Sequence, residues 1–291
     1  MSRESGAVST TGELLEHQVR CCGQVRERAL AALSETVHAL RLGETSEHAA
    51  LDIFAAELAR RGVGSYWYPA GEAAGSFQSG CIVAFDTAAF PPRTAFSNAR
   101  HQAASDKVLW EGFGYFYASP QVLMPGGLVA WGDVGCTIYL GKDPSVRAAV
   151  RDGWQRNKAV LGQLGEIGTP TTLDLFRLNA AESEGRGLVN IAWSQSGEGH
   201  NLGHHFPVAT AASLDDPAVR DLPSARCYVD GGTDRPLSAG LWTYEARDRS
   251  VHYPTGAVGF HEIVTAQAGR VIRLPSCRRL LESVGMDWVM S

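Results

Sequence analysis

Pairs of helix-forming segments alternate with groups of short strands along this chain, which predicts an α+β fold with helices packed on one face of a curved sheet. Two stretches show the pattern most plainly. In residues 12–42 the apolar positions Leu14, Leu15, Val19, Cys22, Val25, Leu30, Leu33, Val37 and Leu40 recur at roughly helical spacing. In the final third, residues 241–244, 257–260, 263–266 and 271–274 are runs of strand length and strand composition.

The elements follow in order. Residues 1–11 are small and polar and read as a loose tail, leaving residues 12–291 as one domain. Gly23 marks a break or a close packing point in the first helix, and Gly43 ends it. Thr45 is the expected N-cap of a second helix, with His48 where a capping-box glutamate would stand. That helix runs through Leu51, Ile53, Phe54 and Leu58 to Arg61. Strands are expected at residues 65–68, 81–85, 113–117, 128–131 and 137–140, with turns such as Pro125-Gly126-Gly127 between them. Residues 146–161 form a third helix, and Thr169-Pro170 opens a fourth with proline in its first turn. Residues 278–284 make a short last helix.

Composition narrows the function classes. With 291 residues, 44% of them hydrophobic, the chain can bury an ample core. A formal net charge of −5 without a basic stripe argues against a nucleic-acid partner. The N-terminus lacks a basic-then-apolar leader and no apolar run is long enough to span a bilayer, so a cytoplasmic protein with no membrane partner is expected. The six cysteines form no CxxC pair and read as reduced, mostly buried thiols.

One stretch carries the chemistry: Gly199-His200-Asn201-Leu202-Gly203-His204-His205-Phe206-Pro207. Imidazole is the commonest metal ligand and titrates near neutrality. Glycines beside it let the backbone approach a bound group closely. By itself the stretch is equally well read as a histidine cluster on a surface turn, so acidic residues elsewhere must decide.

The order of motifs resembles the pita-bread family of methionine aminopeptidase, aminopeptidase P, prolidase and creatinase. Gln24-Val25-Arg26-Glu27-Arg28-Ala29-Leu30 followed by Leu42-Gly43-Glu44-Thr45-Ser46-Glu47 resembles the opening helix, turn and second helix. Asn98-Ala99-Arg100-His101 resembles the stretch bearing a substrate-side histidine. Gly132-Asp133-Val134-Gly135-Cys136-Thr137-Ile138-Tyr139-Leu140-Gly141 resembles the strand with the bridging aspartate. Gly199-His200-Asn201-Leu202-Gly203 resembles Gly-His-Gly-Ile-Gly, and residues 237–245 resemble the strand ending in the first glutamate. The resemblance implies a pita-bread fold of two similar halves, with a curved antiparallel-rich sheet and helices outside.

It also implies a site. The family's metalloenzymes hold two divalent ions with two Asp, one His and two Glu. Here Asp133, His200, Glu245 and Glu262 match four ligands, with His261 a rival to Glu262. The first aspartate falls by position on Ala118; a competing alignment makes Asp133 the first and Asp143 the second. Losing one aspartate spares one metal position, suited to a single Mn, Fe, Co or Zn ion. A metal-free, creatinase-like site using His101 with Glu245 and Glu262 is the alternative, and a non-catalytic binding module the second alternative. His204 or His205 supplies the histidine that follows the glycine motif in the family. The expected substrate is a small amino-acid-derived or peptide-like molecule, with C–N bond hydrolysis or related proton transfer as the chemistry; a homodimer is compatible with the family. Tyr66, Trp67, Tyr68, Tyr115 and Tyr117 are read as sheet packing before pocket lining. Arg247 and Arg249 are read as exposed turn residues before a carboxylate clamp.

Overall fold

The computed structural model describes residues 11–63, 81–85, 106–191, 201–213, 216 and 227–291. The strand expected at residues 65–68, together with His101 and His200, lies outside the described residues.

Helix α1 (Thr11–Ala39) runs through Gly23 without a break. Gly23 is the close packing point instead, lying against Pro275. The predicted apolar stripe is buried at Cys22, Val25, Leu33 and Val37. Helix α2 (Glu47–Arg60) is capped by Ser46, whose hydroxyl accepts from the Ala49 N–H. Thr45, the expected cap, instead accepts from the Arg41 N–H and closes the preceding turn.

Strands β1 (Cys81–Phe85), β2 (Phe113–Ala118) and β5 (Val134–Tyr139) form an antiparallel sheet in the order β1-β2-β5. A short hairpin of β3 (Gln121–Leu123) and β4 (Val129–Trp131) interrupts it. Phe116 of β2 meets Phe54 of α2 and Phe85 of β1 edge-on, which fixes the helix-facing side of this sheet. Side chains alternate along a strand. Ala118 therefore shares the helix-facing side with Phe116, while Tyr115 and Tyr117 face the other way.

A second helix pair and sheet follow. Helix α3 (Pro144–Leu164) starts at Asp143, whose carboxylate accepts from the N–H groups of Ser145 and Val146. Helix α4 (Thr172–Gly185) opens with a capping box of Thr171 and Asp174, so Pro170 precedes the cap rather than entering the first turn. Strands β7 (His205–Phe206), β8 (Leu241–Tyr244), β11 (Glu262–Gln267) and β12 (Arg270–Arg273) form a sheet in the order β12-β11-β8-β7. A further sheet has the order β10-β9-β6, from β6 (Leu188–Asn190), β9 (Arg247–Ser250) and β10 (Tyr253–Gly259). Helix α5 (Arg278–Ser283) comes last and packs on α1. Buried apolar side chains gather in two clusters, one under α1, α2, α5 and the first half of α3, the other under the end of α3 and α4. No helix among the described residues is long and apolar enough to cross a membrane.

The halves join where β5 meets the segment between β10 and β11. Cys136 bridges Phe260, and the His261 N–H donates to the Gly135 carbonyl at 2.7 Å. Arg26 of α1 fastens this junction from behind. Its fully buried guanidinium donates to the carbonyls of Asp133, of His261 at 2.5 Å and of Pro275 at 2.6 Å. Arg26→Met would keep the packing stem and strip all three donors. Each carbonyl left unpaired costs roughly 1–3 kcal/mol, so urea unfolding should show a loss of about 3 kcal/mol or more. A loss below about 1 kcal/mol would mean that these carbonyls find other donors.

Candidate functional site

Asp133 and His261 stand just before β5 and β11, where neither residue is in a strand ladder. Their carbonyls point back to Arg26. Their side chains meet on the opposite side, with Asp133 Oδ1 2.8 Å from His261 Nδ1 and both side chains fully buried. An ionised carboxylate can only accept, which assigns a proton to Nδ1. The Tyr115 hydroxyl lies 2.7 Å from Nε2. Burial pushes the Tyr115 phenol up, so it keeps its proton. The ring of Tyr117 meets the imidazole edge-on at 5.3 Å. Gly135 makes room for this ring: a Cβ there would lie 2.4 Å from His261 Cδ2.

Glu245, just past the end of β8, closes the other side. Thr243 Oγ1 donates to its Oε1 at 2.6 Å, and His204 Nε2 lies 3.3 Å from the same oxygen. Arg247 Nη2 lies 3.4 Å from Oε2 and 3.5 Å from His261 Nε2. Burial alone would raise the Glu245 carboxyl, but His261, His204 and Arg247 together hold it well below the usual range. Its side chain keeps 11% exposure, while those of Asp133 and His261 keep none, so solvent reaches the cluster from the glutamate's side.

The histidine stretch contributes through strand parity. Gly203 has φ +138°, and a Cβ there would lie 2.1 Å from the Thr243 carbonyl oxygen; glycine lets this segment press onto β8. The Thr243 N–H then donates to the His204 carbonyl, the His204 N–H donates to Thr243 Oγ1, and the His204 ring turns toward Glu245. His205 points to the other side, where its ring packs on Trp242 at 4.6 Å and burial pushes its pKa down to about 4.

Parity also separates His261 from Glu262. Glu262 pairs in register with Tyr244, whose hydroxyl donates to Asn179 of α4, so Glu262 faces the helices. It lines a cavity of about 430 Å³ with Trp154, Lys158 and Arg273, and its nearest cation is Arg26 at 3.9 Å. Of the expected ligands, the fold thus brings Asp133 and Glu245 together and sets Glu262 apart. His261, the rival, completes a cluster whose donor atoms all lie within 4.8 Å of one another. Asp143 is a helix cap, and Ala118 lies in the helix-side core. On the site face of β2 the residue opposite Gly135 is Tyr117.

Arg247 overturns the reading of an exposed turn arginine, being only 2% exposed. Nothing in the motif stretch signalled it. The cue was the alternation in Arg247-Asp248-Arg249-Ser250, which β9 uses to send Arg247 into the site and Asp248 to Arg156, 2.5 Å away on the helix side.

The chemistry of the donor set decides whether a divalent ion fits. Two carboxylates and an imidazole are suitable ligand types. The imidazole, however, has one nitrogen on Asp133 and the other facing the Tyr115 hydroxyl. A guanidinium already sits between Glu245 and His261. At an effective dielectric of about 20, a divalent ion about 4 Å from that guanidinium would be repelled by on the order of 8 kcal/mol. That cancels the pull of one of the two carboxylates. The residues present do not fit a divalent ion while Arg247 holds this position.

No family model matches the sequence, and none of the curated proteins compared with it matches. Solved structures do. An X-Pro aminopeptidase from Thermotoga maritima superposes with a TM-score of 0.57 at 20% identity, covering 89% of this chain and 61% of that one. A prolidase from Pyrococcus furiosus gives 0.58 at 16% identity over 89% and 64%. An Xaa-Pro dipeptidase from Bacillus anthracis gives 0.57 at 16% identity over 91% and 64%. The chain thus spans less than two thirds of the length of these structures. It has the pita-bread fold that the motif order implies.

Glu262 offers a measurement independent of activity. Burial pushes its carboxyl up to about 7, against the pull of Arg26 and Arg273. The folded protein therefore holds this proton more tightly than the unfolded chain, whose glutamate titrates near about 4.3. The stabilisation is complete below that unfolded value and is lost as pH rises through about 7. Glu262→Gln should flatten the stability–pH curve over that window and exceed the parent at pH 8 by on the order of 2–3 kcal/mol in urea unfolding. An unchanged curve would contradict this account.

Proposed function

We propose that this chain is an enzyme that acts on a small amino-acid-derived or peptide-like substrate, breaking a C–N bond by general acid–base chemistry without a bound metal. The observation that carries the reading is the line Asp133–His261–Tyr115, with Glu245 and Arg247 facing the same imidazole. The likeness in fold to an X-Pro aminopeptidase and a prolidase supports the substrate class.

The roles follow from the geometry. Glu245, ionised and nearest to solvent, takes a proton from water as the oxygen adds to the substrate carbonyl carbon. Arg247 and the Tyr115 hydroxyl stand where they can donate to the oxyanion that forms. As the C–N bond breaks, His261 in its protonated form passes its Nε2 proton through Tyr115 to the leaving nitrogen, while Asp133 holds the ring through Nδ1. The proton left on Glu245 returns the imidazole to its resting state, so one water is consumed per bond broken. His204 and Thr243 fix the glutamate's orientation.

The test uses X-Pro dipeptides and amino-acid amides in metal-free buffer. His261→Asn, Glu245→Gln and Tyr115→Phe should each lower kcat/KM by about 10²–10⁴, the usual contribution of a positioned acid or base. His204→Gln, one step removed, should cost less. Activity that survives all four substitutions would exclude this cluster as the catalytic centre. Activity that appears only when a divalent ion is supplied would restore the metal-dependent reading.

A further inference from the structure

We propose that the Arg247 guanidinium is the built-in cation of this site, standing where the Asp133–Glu245–His261 cluster would otherwise take up a divalent metal. This deepens the metal-free reading above and rests on the same site.

Three observations carry it. The first is position. Arg247 Nη2 is nearly equidistant from Glu245 Oε2 at 3.4 Å and His261 Nε2 at 3.5 Å, and so stands between two of the three cluster residues. The second is that the arginine is built in. The side chain is 2% exposed and its guanidinium lies 5.7 Å from the Tyr115 ring centroid. Its strand neighbour is Gly259, where a Cβ would come within 3.2 Å of the Arg247 Cγ. A larger residue there would crowd the stem. The third is charge. Asp133 and Glu245 bring two buried carboxylates within 4.8 Å of each other, an arrangement that needs a cation. Arginine keeps its charge at every accessible pH, so it supplies that cation permanently and without exchange.

The consequence is a latent metal site. Removing the guanidinium leaves two carboxylates and an imidazole uncompensated, with donor types suited to cobalt, manganese or zinc. The parent, Arg247→Met and Arg247→Lys would be purified through chelator, desalted and titrated with cobalt chloride, manganese chloride or zinc chloride. Bound ion would be counted by elemental analysis after desalting, with cobalt absorption and thermal melting as further readouts. Arg247→Met should retain about one equivalent of ion, bind cobalt at least about 100-fold more tightly than the parent, and melt higher when it is added. Arg247→Lys, which keeps a charge, should stay metal-poor like the parent. Adding His261→Asn to Arg247→Met should abolish the gained ion. Where Arg247→Met does not fold, Arg247→Gln of similar length replaces it, and failure of both to fold except when cobalt is present counts as support.

The overturning results differ for the two claims. A folded Arg247→Met that gains no ion overturns the role of Arg247 and leaves the metal-free reading standing. A parent that holds about one equivalent, lost on His261→Asn, overturns both. A gained ion in Arg247→Met beside a parent inactive on every substrate supports the built-in cation and counts against the catalytic reading.

Discussion

The Arg26 guanidinium is the interaction on which the rest of the site depends. It comes from the first helix, is fully buried, and donates to the carbonyls of Asp133, His261 and Pro275. Asp133 and His261 lie 128 positions apart and in different halves of the fold. Each stands outside its ladder just before a strand begins, so its carbonyl has no strand partner of its own. Buried carbonyls need donors, and one planar fork supplies them to both. Holding the two carbonyls on one cation aims the two side chains at each other on the far side. The hydrogen bond between Asp133 and His261 is thus set by a residue that touches neither side chain.

Charge is buried on both faces of the same strands, and parity decides which charge goes where. On β9, Arg247 enters the site while Asp248 turns to Arg156 beneath the helices. At the start of β11, His261 enters the site while Glu262 turns to the helix side. The segment that enters β7 does the same with His204 and His205. Buried ion pairs gain little stability over apolar packing, because desolvation offsets their attraction. Their effect is positional: shifting any of these segments by one residue would bury an unpaired charge on each face, so the register is strongly specified.

This also explains what was legible in the sequence. The helices could be read because periodic apolar faces are a property of one segment alone. The strands at residues 81–85, 113–117 and 241–244 could be read for the same reason. Strand β9 could not, since Arg247-Asp248-Arg249-Ser250 has no apolar residue, and the charges that meet Arg247 and Asp248 come from Glu245 and Arg156, outside its ladder. Asp133 and Glu245 were legible from motif order. The choice between His261 and Glu262, or between His204 and His205, turns on a single residue of register, and adjacent positions in a sequence carry no mark of face. The cap at Ser46 rather than Thr45 is the same kind of one-residue difference.

The residues of the site fit one another as a set. Gly135 is small because the His261 ring lies over it, and Tyr117, its partner across the ladder, packs against that ring. Gly259 is small beside the Arg247 stem, and Tyr115 lies between the arginine and the imidazole, bonded to one and stacked near the other. The aromatic pair on β2 and the arginine on β9 are therefore parts of one arrangement. Tyrosine at 115 and 117 fills the space beside the imidazole with ring surface and one hydroxyl, and arginine returns the positive charge that the two carboxylates require. A carboxylate placed at Ala118 would not reverse this, because that position faces the helix-side core. The site's character is set by which side chains share the face of Asp133, and on that face one guanidinium stands beside two carboxylates.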